Sequence, residues 1–154
     1  MIFRCVKPRV DGKANGQYLP IRQTDNKPKQ FLYISLMISK EQAKEKISSL
    51  VQRFDEQKEF YGRQDYNETL TRRDFIDPFF KALGWDVDNE QGYSESYREV
   101  IHEDKIKIGG QTKAPDYSFR LGGGNRLFFV EAKKPSVLVK DDVAPAYQLR
   151  RYGW

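Results

Sequence analysis

Asp116, Glu131 and Lys133 lie within one stretch, PDYSFRLGGGNRLFFVEAKKP from Pro115 to Pro135, whose pattern brings all three to a common face. Two runs rich in aromatic and β-branched residues, Asp116 to Leu121 and Arg126 to Lys133, flank Gly122-Gly123-Gly124-Asn125, a cluster suited to closing a hairpin. A symmetric loop pairs Leu121 with Arg126 and sets Asp116 opposite Glu131. Side chains alternate along a strand, so Asp116, Ser118, Phe129, Glu131 and Lys133 share one face, while Tyr117, Phe119, Leu121, Phe128, Val130 and Ala132 share the other. The second, mostly apolar face is the expected core; the first carries the chemistry.

Directly opposed carboxylates about 5 Å apart repel by roughly 3 kcal/mol at an effective dielectric of about 20, more than the ~1 kcal/mol a good cross-strand pair returns. A hard divalent cation offsets that repulsion, and magnesium is typically held by one or two carboxylates together with water and phosphate. Lys133, on the same face, is placed to orient or deprotonate an attacking water and to offset charge on a phosphoryl transition state. Metal-dependent phosphodiester hydrolysis is the chemistry this spacing suits. Taken alone, a D…ExK match more often describes a solvated hairpin whose acids splay outward, with Lys133 neutralising Glu131.

The elements that must position these residues are legible on either side. Ser39 with Gln42 forms a capping box, and Ala43, Ile47, Leu50, Val51 and Phe54 recur at helical spacing, predicting an amphipathic helix that ends near Gly62. A second helix starts near Asn67, carries Leu70, Ile76, Phe79, Phe80 and Leu83 inward, and ends at Gly84, with Pro78 a candidate bend. Trp85 to Asp88 and Tyr97 to Ile108 read as strands. A last helix begins near Asp142, with Pro145 in its first turn. The order of helix, helix, strands, hairpin and helix indicates an α/β (α+β) fold, a sheet covered by helices.

With those flanks in place, Asp116, Glu131 and Lys133 resemble the PD-(D/E)XK nuclease signature. LTRRDFIDPFFKALGWDV before the hairpin and YQLRRYGW after it are similar to the amino-terminal nuclease domains of type I restriction subunits (R proteins) and of fused restriction-methylation (type IIG) enzymes. The resemblance covers roughly Met37 to Trp154. It implies a restriction-endonuclease-like mixed central sheet flanked by helices and a magnesium-dependent DNA endonuclease, with manganese as a substitute ion. Asp116 and Glu131 would be metal ligands, with the Ala132 carbonyl a further one, and Lys133 would handle the water. In that group the hairpin is followed by a helix bearing Gln and Tyr four residues apart, a spacing met by Gln148 and Tyr152. Glu68 matches an acid that reaches the metal directly or through water, or else is a first-turn acid favoured by the helix dipole. DNA is the implied partner, alongside motor, methyltransferase or specificity modules that do not fit in 154 residues. The chain therefore reads as a fragment of a larger restriction enzyme.

Other classes fit less well. An inactive nuclease fold that binds DNA or a partner protein is the main alternative. A glycosidase using Asp116 and Glu131 as an acid and base pair sits poorly with a lysine beside the acid. Cys5 is the single cysteine and His102 the single histidine, so neither a disulfide, a Cys/His zinc site nor a catalytic triad is expected. The Gly122 to Gly124 run lacks a following helix and suits a turn better than a phosphate cradle. Arg72 and Arg73 read as an exposed helix face or as contacts to DNA phosphate. Lys134 should point away from Lys133, and Pro135 should end the strand. With 14% aromatic residues the chain can bury one core despite a mean hydropathy of −0.78, and no apolar run has transmembrane length, so a cytoplasmic location is expected.

The net charge of +5 is unevenly distributed. Residues 1–36 hold seven Lys/Arg against Asp11 and Asp25, whereas residues 37–154 hold 20 of each sign. Residues 1–36 thus form a basic extension, either mobile or upstream sequence read into the frame, or else an added edge strand and loop in which Phe31 to Leu36 is the strand-like run. Residues 37–154 are the expected nuclease domain.

Overall fold

The computed structural model describes residues 4–6, 38–121 and 124–152. Strands β1 (Arg4–Val6), β2 (Val100–His102), β5 (Tyr117–Arg120) and β6 (Arg126–Glu131) form a sheet in the order β1-β6-β5-β2, and β3 (Ile106–Ile108) with β4 (Gln111–Lys113) forms a separate hairpin. Every pairing among them is antiparallel. The helices are α1 (Lys40–Glu56), α2 (Lys58–Tyr61), α3 (Glu68–Thr71), α4 (Asp77–Ala82) and α5 (Ala144–Tyr152). A mixed α/β fold is the result, as the order of sequence patterns predicts.

Helix α1 starts where its sequence dictates. Ser39 Oγ accepts from the Gln42 amide at 3.1 Å, while Gln42 Oε1 accepts from the Ser39 amide at 2.9 Å. Leu50 and Phe54 of this helix pack on a cluster of Tyr61, Tyr66 and Phe75, and Val51 stays exposed. The helix stops at Glu56, and the separate turn of α2 carries the chain to Gly62.

Asn67 caps α3, its Oδ1 accepting from the Leu70 amide at 3.0 Å. Between α3 and α4 the chain makes a π-helical turn, Arg72–Ile76, with the Asp77 amide bonded back to the Arg72 carbonyl. Pro78 gives a reason. It has no amide hydrogen for the Asp74 carbonyl four residues earlier, and Arg53 of α1 supplies the missing donor from Nη2. The expected Pro78 bend is therefore a π turn clamped from a neighbouring helix. Gly84, at φ +90°, ends α4 in the left-handed conformation that glycine adopts at no steric cost. Leu83 does not turn inward as its spacing suggests, because it lies at this terminus and is exposed.

The sheet is buried on both faces. Ile76, Phe80, Val87, Val100, Tyr117, Phe119, Val130 and Ala132 form the core on one side, with Phe119 and Phe128 stacked at 4.4 Å as opposed residues. On the other side Phe129 meets Leu149 and Tyr152 of α5, together with Ile106 of β3. The face that alternation assigns to chemistry is thus half core, since α5 covers Phe129 while Glu131 lies at the strand end.

Several expectations need correction. Trp85 to Asp88 is not a strand; Gly84 and Asn89, both at positive φ, make it a turn, and Val87 reaches the core from there. Tyr97 to Ile108 is broken at Glu103 (φ 52°), so that only β2 joins the main sheet and β3 leaves to pair with β4. The hairpin strands are shorter than expected at both outer ends. Its register holds for Tyr117↔Val130, Ser118↔Phe129 and Phe119↔Phe128, then shifts so that Arg120, not Leu121, faces Arg126. The extra residue on β6 is a bulge. It aims both arginines at Asp104, with Arg126 Nε 2.6 Å from Oδ2 and Arg120 Nη2 3.1 Å from the same atom, and leaves Leu121 exposed. Helix α5 begins at Ala144, its amide held by Asp142 Oδ1 at 2.9 Å. In the basic extension, β1 pairs with β6 in the register Arg4↔Glu131, Cys5↔Val130, Val6↔Phe129, so part of this segment is an edge strand. Phe31 to Leu36 falls outside the described residues.

Candidate active site

Glu131 is where the elements converge. It ends β6 with its side chain buried, and three side chains donate to its carboxylate. Lys133 Nζ is 3.0 Å from Oε1, Gln148 Nε2 donates to the same oxygen, and Tyr152 Oη donates to Oε2 at 3.3 Å. Gln148 and Tyr152, one helical turn apart on α5, also meet each other at 3.3 Å. Lys133 reaches Glu68 at the start of α3, Nζ to Oε1 3.5 Å. Three segments, the end of β6 running on to Lys133, α5 and the start of α3, therefore contribute to one cluster.

Asp116 sits just before β5 and closes the open end of the hairpin. Its Oδ2 accepts from the Ala132 amide at 2.7 Å, and its Oδ1 accepts from Arg72 Nη1 at 3.2 Å. The six side chains singled out from the sequence, Glu68, Asp116, Glu131, Lys133, Gln148 and Tyr152, are thus linked directly or through the Ala132 backbone. Lys134 turns away, bonding Gln64 Oε1 at 2.9 Å. Arg73 is exposed beside Asp74. Arg72 is not part of that exposed face; it packs inward over the Tyr117 ring, 4.9 Å from its centroid.

Electrostatics separate the members of the cluster. Burial, reinforced by the Asp116 charge, raises the Glu131 carboxyl above its ordinary range despite the Lys133 ammonium and the Tyr152 hydroxyl. For Lys133 burial works the other way, but hydrogen bonding to Glu131 and the charges of Glu131, Glu68 and Asp116 outweigh it and raise the ammonium. Burial also raises the Tyr152 hydroxyl, keeping it a proton donor to Glu131. At neutral pH Lys133 is a cationic donor and not a base.

Could this set hold a metal? Among the described residues no group of three or more His, Cys, Asp and Glu side chains is arranged for one. The donors at hand are two carboxylates flanking the Ala132 peptide, all hard oxygen, a set that suits magnesium completed by water and phosphate better than it suits a soft or fully protein-ligated ion. Arg72 and His102 are the residues that sequence reasoning missed here. Glu68 and Arg72 are four apart on one helix face, so the spacing argument applied to Gln148 and Tyr152 also leads to Arg72.

The chain is similar to the type II restriction enzyme and methyltransferase RM.Eco57I of Escherichia coli, 43% identical over 113 residues. Its sequence is restriction-enzyme-related. The match takes in 72% of this chain, which spans only 11% of that much longer protein. No protein-family model matches the chain, and no solved structure does. No helix among the described residues is long and apolar enough to cross a membrane.

Proposed function

We propose that this chain is a magnesium-dependent endonuclease domain of the PD-(D/E)XK type, acting on DNA within a restriction-modification enzyme. The observation that carries the reading is the convergence on Glu131 of Lys133, Gln148 and Tyr152, with Asp116 tied across the hairpin to the intervening Ala132 amide. Similarity to a restriction-methylation fusion supports the same assignment.

In this reading Asp116, Glu131 and the Ala132 carbonyl hold the ion. When bound, the ion supplies Lewis-acid stabilisation of charge on the phosphoryl oxygens. The chain's own groups do the rest. Lys133, charged and hydrogen-bonded to Glu131, orients the attacking water and neutralises charge as the water oxygen bonds phosphorus and the P–O bond to the leaving oxygen breaks, the water's proton passing to solvent and the leaving oxygen taking one up from solvent. Gln148 and Tyr152 hold the Glu131 carboxylate in one orientation, and Glu68 keeps Lys133 aimed at it.

Plasmid DNA incubated with the protein and magnesium should be nicked or linearised, and chelator should stop it. Lys133→Ala should lose cleavage by at least about 100-fold, the scale of a removed transition-state donor, while Lys134→Ala should retain most of it. Binding of DNA without metal-dependent cleavage would instead indicate a nuclease fold that serves only for binding.

A further inference from the structure

Asp116 has a partner that none of the site residues above accounts for. Arg72 Nη1 lies 3.2 Å from Asp116 Oδ1, and Arg72 Nη2 lies 3.2 Å from His102 Nδ1. The other ring nitrogen of His102 is 3.2 Å from the Val87 carbonyl, which can only accept. Nε2 therefore carries the proton, and Nδ1 presents its lone pair to Arg72. The guanidinium also rests on the Tyr117 ring, and Glu103 Oε1 is 3.6 Å from Nη1 on the outer side. Tyr117 is itself pinned, its hydroxyl donating to Asp77 Oδ1 at 2.6 Å. Arg72 is thus held on three sides by residues of β2, β5 and the turn after β2, with its side chain 18% exposed.

A guanidinium stays charged at any working pH and keeps a fixed fork of donors. We propose that Arg72 is a built-in counter-cation to Asp116, which keeps the two acids assembled without metal and sets the concentration of divalent ion needed to load the site. The inference rests on the reading of Asp116 and Glu131 as ion ligands. Lys133 cannot serve Asp116 in this way, because its ammonium is bonded to Glu131 and Glu68. Arg72 is anchored through His102 and Tyr117, so it stays beside Asp116 when an ion arrives. Its positive charge then opposes the incoming one at a few ångströms. The same contact that preserves the empty site weakens its affinity for metal. Arg72 is accordingly a positioning residue, acting through Asp116.

Manganese binding without DNA, measured by titration calorimetry on the whole chain, tests this apart from catalysis. Arg72→Gln and Arg72→Met each remove the charge, the second keeping the packing on Tyr117. Both should lower Tm in chelator yet lower the manganese Kd by about fivefold or more, so that saturating manganese restores more Tm than it adds to the parent. Arg72→Lys, which keeps a cation, should stay within about twofold of the parent Kd. Unchanged or weaker manganese binding in both neutral variants, with the parent binding normally, would overturn the counter-cation while leaving the metal site standing. Manganese binding that is absent in parent and variants alike, or that survives Asp116→Asn undiminished, would overturn the ion-ligand reading and this inference with it.

Discussion

The two ends of the β5–β6 hairpin handle buried charge in opposite ways. At the loop end Asp104 is one acid against two arginines, with Arg126 bound through Nε and Nη2 and Arg120 through Nη2. Burial disfavours the Asp104 carboxylate, but the hydrogen bonds from these arginines outweigh it and hold its pKa below the ordinary range. At the open end two acids share the strand terminus, and Glu131 is raised by burial and by Asp116 even with Lys133 against it. One end is over-matched in positive charge; at the other, Glu68, Asp116 and Glu131 outnumber Lys133 and Arg72 by one. A closed ion cluster fixes the bulge, whereas the incompletely neutralised one is the place where the proposed function puts its ion.

Alanine at the two ends should therefore fail differently, and this is the largest effect expected. Asp104→Ala strands two guanidinium groups beneath the bulge and should cost about 3 kcal/mol of stability, the scale for breaking one side of a buried ion pair. Its cleavage rate per folded molecule should stay near that of the parent. Glu131→Ala should lose cleavage by about 100-fold or more while changing stability far less. Urea melts alongside plasmid cleavage at matched folded fraction would decide the matter. Loss of cleavage in Asp104→Ala at full folding would erase the contrast between the ends.

Much of the open end was legible because it depends on two short periods. The strand period of two put Asp116, Glu131 and Lys133 together, and the helical period put Gln148 and Tyr152 on one face of α5. Both signals are local. The loop end was not legible, since the bulge depends on Asp104, which lies outside the hairpin and whose pull on Arg120 and Arg126 no pattern within the hairpin encodes. Arg72 was lost for a related reason: the arginines read as a pair, and only the tertiary partners His102, Tyr117 and Asp116 distinguish the first from the second. Strand β1 was overlooked because three residues carry no periodicity, and its edge position follows from the free side of β6.

An intermediate effect concerns that edge. Deleting residues 1–36 removes β1 and uncovers the β6 backbone next to Glu131, so the shortened chain should fold but be less stable by about 1–2 kcal/mol, the worth of a few backbone hydrogen bonds. If the net +5 of this segment contacts DNA, the slope of log K against log salt should also fall by about 0.9 for each phosphate the shortened chain no longer neutralises. A shortened chain with unchanged Tm would mean that β1 adds nothing to the sheet. An unchanged salt slope would mean that its charge plays no part in binding.

The smallest effect is also the sharpest, because the two ends should respond to pH with opposite sign. Asp104 has a lowered folded pKa, so its contribution is present at neutral pH and is lost as pH falls through that lowered value. Glu131 has a raised folded pKa. The folded state binds its proton more tightly than the unfolded chain, so the acid penalises folding above that raised value, and the penalty disappears as pH falls toward the ordinary value of 4.5. Glu131→Gln keeps an acceptor for Gln148 and Tyr152, and Lys133 retains Glu68 at 3.5 Å. In chelator at pH 7 to 8 this variant should therefore be more stable than the parent and melt a few degrees higher, since each tenfold by which folding tightens proton binding is worth about 1.4 kcal/mol. The advantage should shrink as the medium is acidified toward pH 4.5. Asp104→Asn should do the reverse, being least stable relative to the parent at neutral pH and approaching it in acid. Melting curves of the three proteins from about pH 2 to 8 would show two difference curves of opposite slope, that of Glu131→Gln changing above its ordinary value of 4.5 and that of Asp104→Asn only below its ordinary value of 3.8. A Glu131→Gln variant that is less stable than the parent at pH 8 in chelator would mean that Lys133 fully neutralises Glu131, and the contrast between the two ends would then be one of geometry alone.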